Sequence, residues 1–431
     1  MTTQHDTTRG WFEQRLGLSG FRKKYLSKAF PVHPTFFLGE IALFSLVLLV
    51  LSGIYLAFSY EPSARSITVG GETVPAAYHS VVNIDRQPFG LVVRQVHHWS
   101  AHLMIAAAIL HLLRVFFSGT FRKPREVSWV IGLLLLLISV VAAFSGYLLP
   151  YDEFAVTATG IGYGIAHSIP WVGPAVADFV FAGPFPASET IPRFYGYHIM
   201  LIPLALFALL GLHLLVLFKQ KHSEPYYNRG KVARGALLGV PLWPQQTVMM
   251  VELFLIMSSG LLLVASFFPA HPVELYGPPG PQTPSVKPDW YFLWVYGALK
   301  LVPGWMEFDV LGGHINAEAL GGVIFPAVVL LVVALWPFLE RSSVPQHYTQ
   351  RLGEARLRGA VGVGALVFLL VLSVAGYEDE LHLSLDVFRW SALVLPLLLG
   401  GGFYVLLARR RWPHSPKTTG FSKHDVVLEK R

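Results

Sequence analysis

The chain has 431 residues, 53% of them hydrophobic and only 14% charged, with a mean hydropathy of +0.52. A charged share so far below the roughly 25% usual in soluble domains excludes an ordinary water-soluble, disordered or fibrous chain and points to a polytopic membrane protein. The absence of cysteine excludes disulfides, thiolate metal sites, thioether-attached cofactors and thiol nucleophiles.

A helix needs about 20 apolar residues to cross the hydrocarbon core. Eight stretches qualify, near residues 35–58, 91–117, 128–149, 196–218, 247–268, 319–339, 359–376 and 391–408. The expected fold is all-α, a polytopic transmembrane bundle of eight helices. Its predicted organisation is an N-terminal segment 1–34, a four-helix half 35–218, a linker 219–246, a second four-helix half 247–408 and a basic tail 409–431. Residues 1–34 lack the short apolar run of a cleaved leader, so the first span is expected to be retained.

Lysine and arginine sort by loop. Segments 1–34, 118–127, 219–246, 341–358 and 409–431 hold 25 of them, and the alternate loops 59–90, 150–195, 269–318 and 377–390 hold 6. This positive-inside pattern puts both termini in the cytoplasm. It accounts for the net charge of +7 without nucleic acid. In the outer loop 150–195, Pro170-Trp171-Val172-Gly173-Pro174 and the apolar stretch to Phe181 predict a short surface helix. In the outer loop 269–318, a Pro/Gly-rich stretch leads into Asp289-Trp290-Tyr291-Phe292-Leu293, a helical or re-entrant pattern near 285–300.

Polar groups at bilayer depth are expensive and point to function. The second span carries His97, His98, His102 and His111, and the fourth carries His198 and His213. His97 and His111 differ by only ~40° around the helix, whereas His98 and His102 point far from His111. His198 and His213 differ by ~60° and also share a face. The two spans run in the same direction, so the first histidine of each lies near the outer surface and the second ~21 Å deeper. Two imidazoles at each of two depths suit a flat macrocyclic iron with two axial nitrogens. Zinc would need further ligands that no nearby carboxylate or thiol supplies. Structural histidines of a cofactor-free transporter are the bland alternative.

Gly39 and Gly53 in the first span, and Gly132 and Gly146 in the third, repeat the 14-residue spacing of His97 and His111. Running in the opposite direction, Gly39 and Gly132 should match the depth of His111 and His213, and Gly53 and Gly146 that of His97 and His198. Glycine permits close approach because it has no Cβ; small-residue helix packing is the competing explanation. Arg94 and Arg114 each sit about one turn from a proposed ligand, toward the nearer surface, placed to pair with propionates or to snorkel toward headgroups.

Together, Arg94-Gln95-Val96-His97-His98-Trp99, Leu110-His111-Leu112-Leu113-Arg114, both glycine pairs, Ser145-Gly146-Tyr147-Leu148-Leu149-Pro150, Arg193-Phe194-Tyr195-Gly196-Tyr197-His198 and Pro288-Asp289-Trp290-Tyr291 closely resemble the cytochrome b subunit of quinol-oxidising cytochrome bc complexes. The resemblance covers roughly residues 30–340. It implies that the front four helices hold two non-covalent b-type haems, with His97 and His198 ligating the outer iron and His111 and His213 the inner one. The 15-residue spacing on the fourth span is similar to the plastid branch, while the fused halves and eighth span are as in mitochondria. Phe37 stands where the plastid type has a cysteine, so no covalent haem c is expected. Asp289 stands where the family usually has glutamate, and Phe218 where the mitochondrial branch has histidine.

The implied activity is a quinol–cytochrome c (or similar acceptor) reductase, active only with partner subunits. Quinol, either ubiquinol or menaquinol, would be oxidised on the outer side, with Asp289 accepting a proton and Tyr291 lining the pocket. One electron would pass to a Rieske 2Fe-2S protein and a c-type cytochrome subunit. The other would cross the membrane through the two haems, contributing to proton-motive force. Lys219, His222 and Glu224 are candidates for quinone reduction on the inner side, or else part of a solvated loop. A bacterial plasma-membrane location, contact with lipid and a homodimer of the complex are the further expectations. The alternative is a dihaem membrane anchor of another quinone-linked oxidoreductase, against which the Asp289 motif and the second four-helix half argue.

Overall fold

The computed structural model describes residues 15, 26–31, 33–232, 234, 236–280, 286–410 and 427–430. Most of segment 1–34 and of the tail 409–431 lie outside the described residues. After β1 (Ala29–Phe30), helix α1 spans Leu38–Ala57. The β2–β3 hairpin (Ser66–Val69, Glu72–Pro75) and the amphipathic α2 (Ala76–Arg86) fill the next loop. Helices α3 (Gly90–Phe117) and α4 (Glu126–Tyr147) follow. Two helices, α5 (Glu153–His167) and α6 (Gly173–Phe181), precede the long α7 (Thr190–Gln220). After β4 (Ala236–Pro241) come α8 (Thr247–Phe267), the short α9 (Leu293–Leu301), the β5–β6 hairpin (Phe308–Val310, Gly313–Ile315), α10 (Ala319–Leu339), α11 (Arg356–Ala375), α12 (Leu385–Arg409) and β7 (Val427–Lys430).

Eight of these helices are long and apolar enough to cross a membrane, and the chain is an integral membrane protein. They must be helices because lipid offers nothing to an unpaired amide. Ser45, Ser52 and Ser139 are buried within them, and each returns its hydroxyl to the carbonyl four residues earlier. Their outward faces, such as Leu51, Ile256 and Leu398, are exposed leucine and isoleucine, a surface suited to acyl chains.

The loop 150–195, expected on the outer side, departs from the sequence expectation: it holds two helices rather than one, and α2 adds a third outside the bundle. Helix α5 runs through Gly160, Gly162 and Gly164. Its start is fixed by Asp152, whose Oδ1 accepts the Ala155 amide at 2.8 Å. Gly162 lets the Phe144 ring lie against the helix, where a Cβ would stand 2.6 Å from Cζ. On the opposite side, β1 and β7 both pair antiparallel with β4, so the loop 219–246 is tied to both ends of the chain.

Candidate functional site

Glycine and histidine meet at two depths. A Cβ on Gly53 would lie 3.3 Å from His97 Cε1, and one on Gly146 2.6 Å from His198 Cε1. At the other depth a Cβ on Gly39 would lie 3.3 Å from His111 Cε1, and one on Gly132 3.6 Å from His213 Cε1. Helices α1 and α4 therefore present bare backbone to imidazoles from α3 and α7, in the register set by the 14-residue spacing of α1, α3 and α4 and the 15-residue spacing of α7.

The serines set the tautomers of one pair. Ser52 Oγ donates to the Leu48 carbonyl at 2.6 Å, so toward His97 Nδ1, 2.9 Å away, it acts as acceptor. Ser145 Oγ likewise donates to the Ala142 carbonyl at 2.8 Å and receives His198 Nδ1–H at 3.0 Å. Both rings thus carry the proton on Nδ1 and keep the Nε2 lone pair for a metal, the arrangement that orients metal-binding imidazoles. The His97 and His198 ring centroids are 6.1 Å apart, close enough for the two bare nitrogens to serve one metal ion. At the other depth, Nδ1 of His111 is buried without a hydrogen-bond partner. Among the described residues, no cluster of three or more histidines and carboxylates offers a metal a self-sufficient cage. The donor set fits irons whose remaining ligands come from a macrocycle.

The two arginines differ. Arg94 grips Asp85 with two bonds of 2.6 Å and donates to the His271 carbonyl at 3.2 Å. Arg114 lies over the Phe36 ring at 3.9 Å. Only Arg94 already has a carboxylate at hydrogen-bond distance.

The Asp289 segment packs beside α3, on the side away from the paired histidines. Tyr291 is buried and donates its hydroxyl to Asp289 Oδ2 at 2.6 Å. Burial, then the Asp289 charge, push the phenol above its ordinary range, so it stays a donor. The Trp290 indole donates to His102 Nδ1 at 3.0 Å, and His102 Nε2 lies 2.8 Å from His98 Nε2. Tyr291 and His102 rings are 5.9 Å apart. Phe292 completes the wall against Phe144 and Tyr147 of α4.

Two lysines brace this segment. Lys287 binds Asp379 at 2.5 and 2.6 Å, and Lys300 binds Glu378, both carboxylates lying on the turn between α11 and α12. Behind it, the Gly297 backbone abuts the Leu372 carbonyl so closely that a Cβ would be 1.8 Å away. Sequence reasoning missed His102, this acidic turn and the His271–Asp152 pair, whose Nε2–Oδ2 distance is 2.6 Å. His102 left one signal, its position out of phase with His111. The others left none, since their partners lie far along the chain.

The inner candidates do not form one cluster. Lys219 is exposed. The Glu224 carboxylate is fully buried, bonded to Asn228 Nδ2 at 2.5 Å and the Leu238 amide at 2.9 Å, while its backbone pairs with Tyr348 and bonds His347 and Thr349. It therefore fastens the inner loops to one another. His222 packs edge-on against Phe30 and Phe36; burial, aided by Arg114 and Arg125, pushes its pKa down to about 4. It is neutral at pH 7.

Comparison with known proteins gives the family. A family model described as Cytochrome b(N-terminal)/b6/petB matches residues 102–278, and one described as Cytochrome b(C-terminal)/b6/petD matches residues 280–391. The cytochrome bc1 complex cytochrome b subunit of Streptomyces coelicolor is 33% identical over 398 residues, covering 88% of this chain and 72% of its own. That of Mycobacterium leprae is 35% identical over 404 residues with the same coverage, 88% and 72%. A solved structure described as a hyperthermophilic respiratory Complex III superposes with a TM-score of 0.70 at 23% identity, over 92% of this chain and 97% of that one, a likeness of fold.

Proposed function

We infer the function from the family: this chain belongs to the cytochrome b subunits of quinol-oxidising respiratory bc1 complexes, the electron-transfer core of a quinol–cytochrome reductase. The family binds haem b and quinone and works with partner subunits such as a Rieske protein and a c-type cytochrome. For this chain the proposal is two non-covalent b-type haems, one held by His97 and His198 and the other by His111 and His213, with Gly39, Gly53, Gly132 and Gly146 leaving room for the macrocycles. What carries it is the glycine–histidine register at two depths. When bound, the haems supply a one-electron path through lipid that excludes ions. Arg114 is the cation available to a propionate at the inner depth; Arg94 would share its charge with Asp85.

The charge sorting supports an outer side that carries α5, α6 and the Asp289 segment, in a bacterial plasma membrane with both termini cytoplasmic. Quinol enters between these elements. Tyr291 occupies Oδ2 of Asp289, which leaves Oδ1 to take a proton from the quinol hydroxyl. As a carboxylate at the rim of the lipid, Asp289 can then pass that proton to outer water. The substrate is ubiquinol or menaquinol, and the complex a homodimer. On the inner side, His222 and Lys219 are the candidates for quinone reduction, and Glu224 holds the loops together.

The test is redox titration of the purified complex with haem counted per chain. Two b-type components are expected, and His111→Ala should remove one and spare the other; a single component in the parent protein, or loss of neither in the variant, refutes the assignment. Asp289→Asn should keep both haems and slow quinol oxidation. A parent-like rate at every pH would remove Asp289 from the chemistry.

A further inference from the structure

The family reading gives no task to His102, an imidazole at membrane depth that points away from the paired histidines and toward the quinol pocket. We propose that His102 is a proton-sensitive latch on that pocket: neutral, it holds Trp290 and so seats Asp289 and Tyr291; protonated, it lets the segment go. The proposal rests on the reading that Asp289 lies in the quinol pocket.

The argument starts from hydrogens. An indole N–H only donates, so Nδ1 of His102, 3.0 Å from Trp290 Nε1, must be the bare nitrogen. The proton is then on Nε2 and points to His98 Nε2 at 2.8 Å. A second proton can be added only at Nδ1, where it would meet the indole N–H head on. Protonation therefore turns the bond between α3 and the segment into a donor–donor contact. Trp290 stands between Asp289 and Tyr291, which are bonded to each other at 2.6 Å, and the Tyr291 ring packs 5.9 Å from that of His102. Whatever displaces Trp290 displaces the proton acceptor and its donor together.

The groups facing His102 are His98 on its own helix and Asp289 and Tyr291 on the segment, with Tyr147 of α4 beside Asp289. His98 in turn faces His271 and Arg94. The charge that oxidation changes next to His102 is that of Asp289. Its carboxylate becomes neutral when it takes a quinol proton and negative again when that proton leaves. An imidazolium is favoured by the carboxylate and not by the acid. The latch is thus shut while Asp289 holds a proton, and it yields when an ionised Asp289 and an acidic medium coincide.

The experiment uses the purified complex, a short-chain quinol and an excess of acceptor. Initial rate is followed against pH, with both haem signals recorded as the control for folding. In His102→Asn the amide oxygen falls near the place of Nδ1 and keeps the indole bonded without titrating. This variant should lose one ionisation from the acid limb of the rate profile. His102→Ala removes the acceptor of the partly exposed indole and should be slower by up to about tenfold, the upper scale of one net hydrogen bond. Trp290→Phe breaks the same bond from the other end, away from α3. It should reproduce both the slower rate and the lost ionisation. A parent-like acid limb in His102→Asn and Trp290→Phe overturns the latch. If Asp289→Asn is itself without effect, it is the pocket reading that fails; if Asp289→Asn slows oxidation while the His102 and Trp290 variants behave as the parent, the latch alone fails.

Discussion

Alanine at position 146 should remove the proposed outer haem, whereas alanine at position 132 should disturb the proposed inner one less. The added Cβ at 146 would stand 2.6 Å from His198 Cε1 and 3.2 Å from both ring nitrogens. Carbon contacts settle at roughly 3.5–4.0 Å, so the ring has to retreat by about 1 Å. It has little room to do so, because Nδ1 is held by Ser145 at 3.0 Å and by the Ala142 carbonyl at 3.1 Å. Metal–ligand distances tolerate about 0.2 Å, several times less than the displacement. At position 132 the new Cβ would lie 3.6 Å from His213 Cε1, an ordinary contact. Helix propensity favours alanine over glycine by about 1 kcal/mol at both places, so the comparison isolates the steric difference, which overpacking measurements put at ~1–3 kcal/mol. Reduced-minus-oxidised spectra and redox titration of the two purified complexes decide the matter. Gly146→Ala with both components present at parent potentials, or Gly132→Ala losing as much as Gly146→Ala, would refute the close-approach reading.

Two further outcomes follow from the bracing of the loops. Burial raises the Glu224 carboxyl against the lowering effect of its Leu238 and Asn228 bonds. The folded state therefore binds this proton more tightly than the unfolded chain does, and the Glu224 contribution to stability falls as pH rises from the usual carboxylate range through the raised value. Glu224→Gln should flatten that slope in thermal unfolding and leave quinone reduction unchanged; loss of inner-side turnover with unaltered unfolding would return Glu224 to the chemistry. Asp379→Asn releases Lys287, which also holds the exposed Asp379 below the usual carboxylate range. Exposed pairs are weak and screened by salt, so quinol oxidation should slow by no more than about fivefold, mainly through a higher KM for quinol, and high salt should bring the parent toward the variant. A variant as sensitive to salt as the parent would show that the acidic turn does not brace the pocket.

The parts of this protein that could be read from sequence are those in which lipid reduces the problem to one dimension. A span must be apolar for its whole length, so its ends are visible, and the eight expected spans agree with the helices to within a few residues except where α7 begins at Thr190 and α12 at Leu385. Those two helices start in polar sequence outside the hydrocarbon, where the apolar rule is silent. Histidine phase and glycine spacing are properties of single helices, and parallel or antiparallel direction aligns them without any knowledge of contacts. The outer loops obey no such rule. Asp152, which starts α5, is also paired with His271, 119 residues away, and no local pattern records that.

The same division explains why α3 can carry two chemistries. His97 and His111 lie on one face, against the glycines of α1, and this face could be predicted because both partners repeat every 14 residues. His102 lies on another face, and its partner Trp290 is 188 residues away. Helical phase showed only that His102 was out of line with the proposed ligands His97 and His111, and the fold supplied its partner. On the proposed assignment, one rigid helix holds both the iron-binding row and a contact to the segment that would take the quinol proton. A shift of that segment is felt by α3 about 1.4 turns from His97, ~7.5 Å of helix, whereas the His111 level lies ~13.5 Å from His102 in the opposite direction. Perturbations of His102 should therefore register on the outer haem signal before the inner one, an order that potentiometric titration of His102→Asn resolves; an inner component that shifts while the outer stays fixed would place His102 outside this pocket.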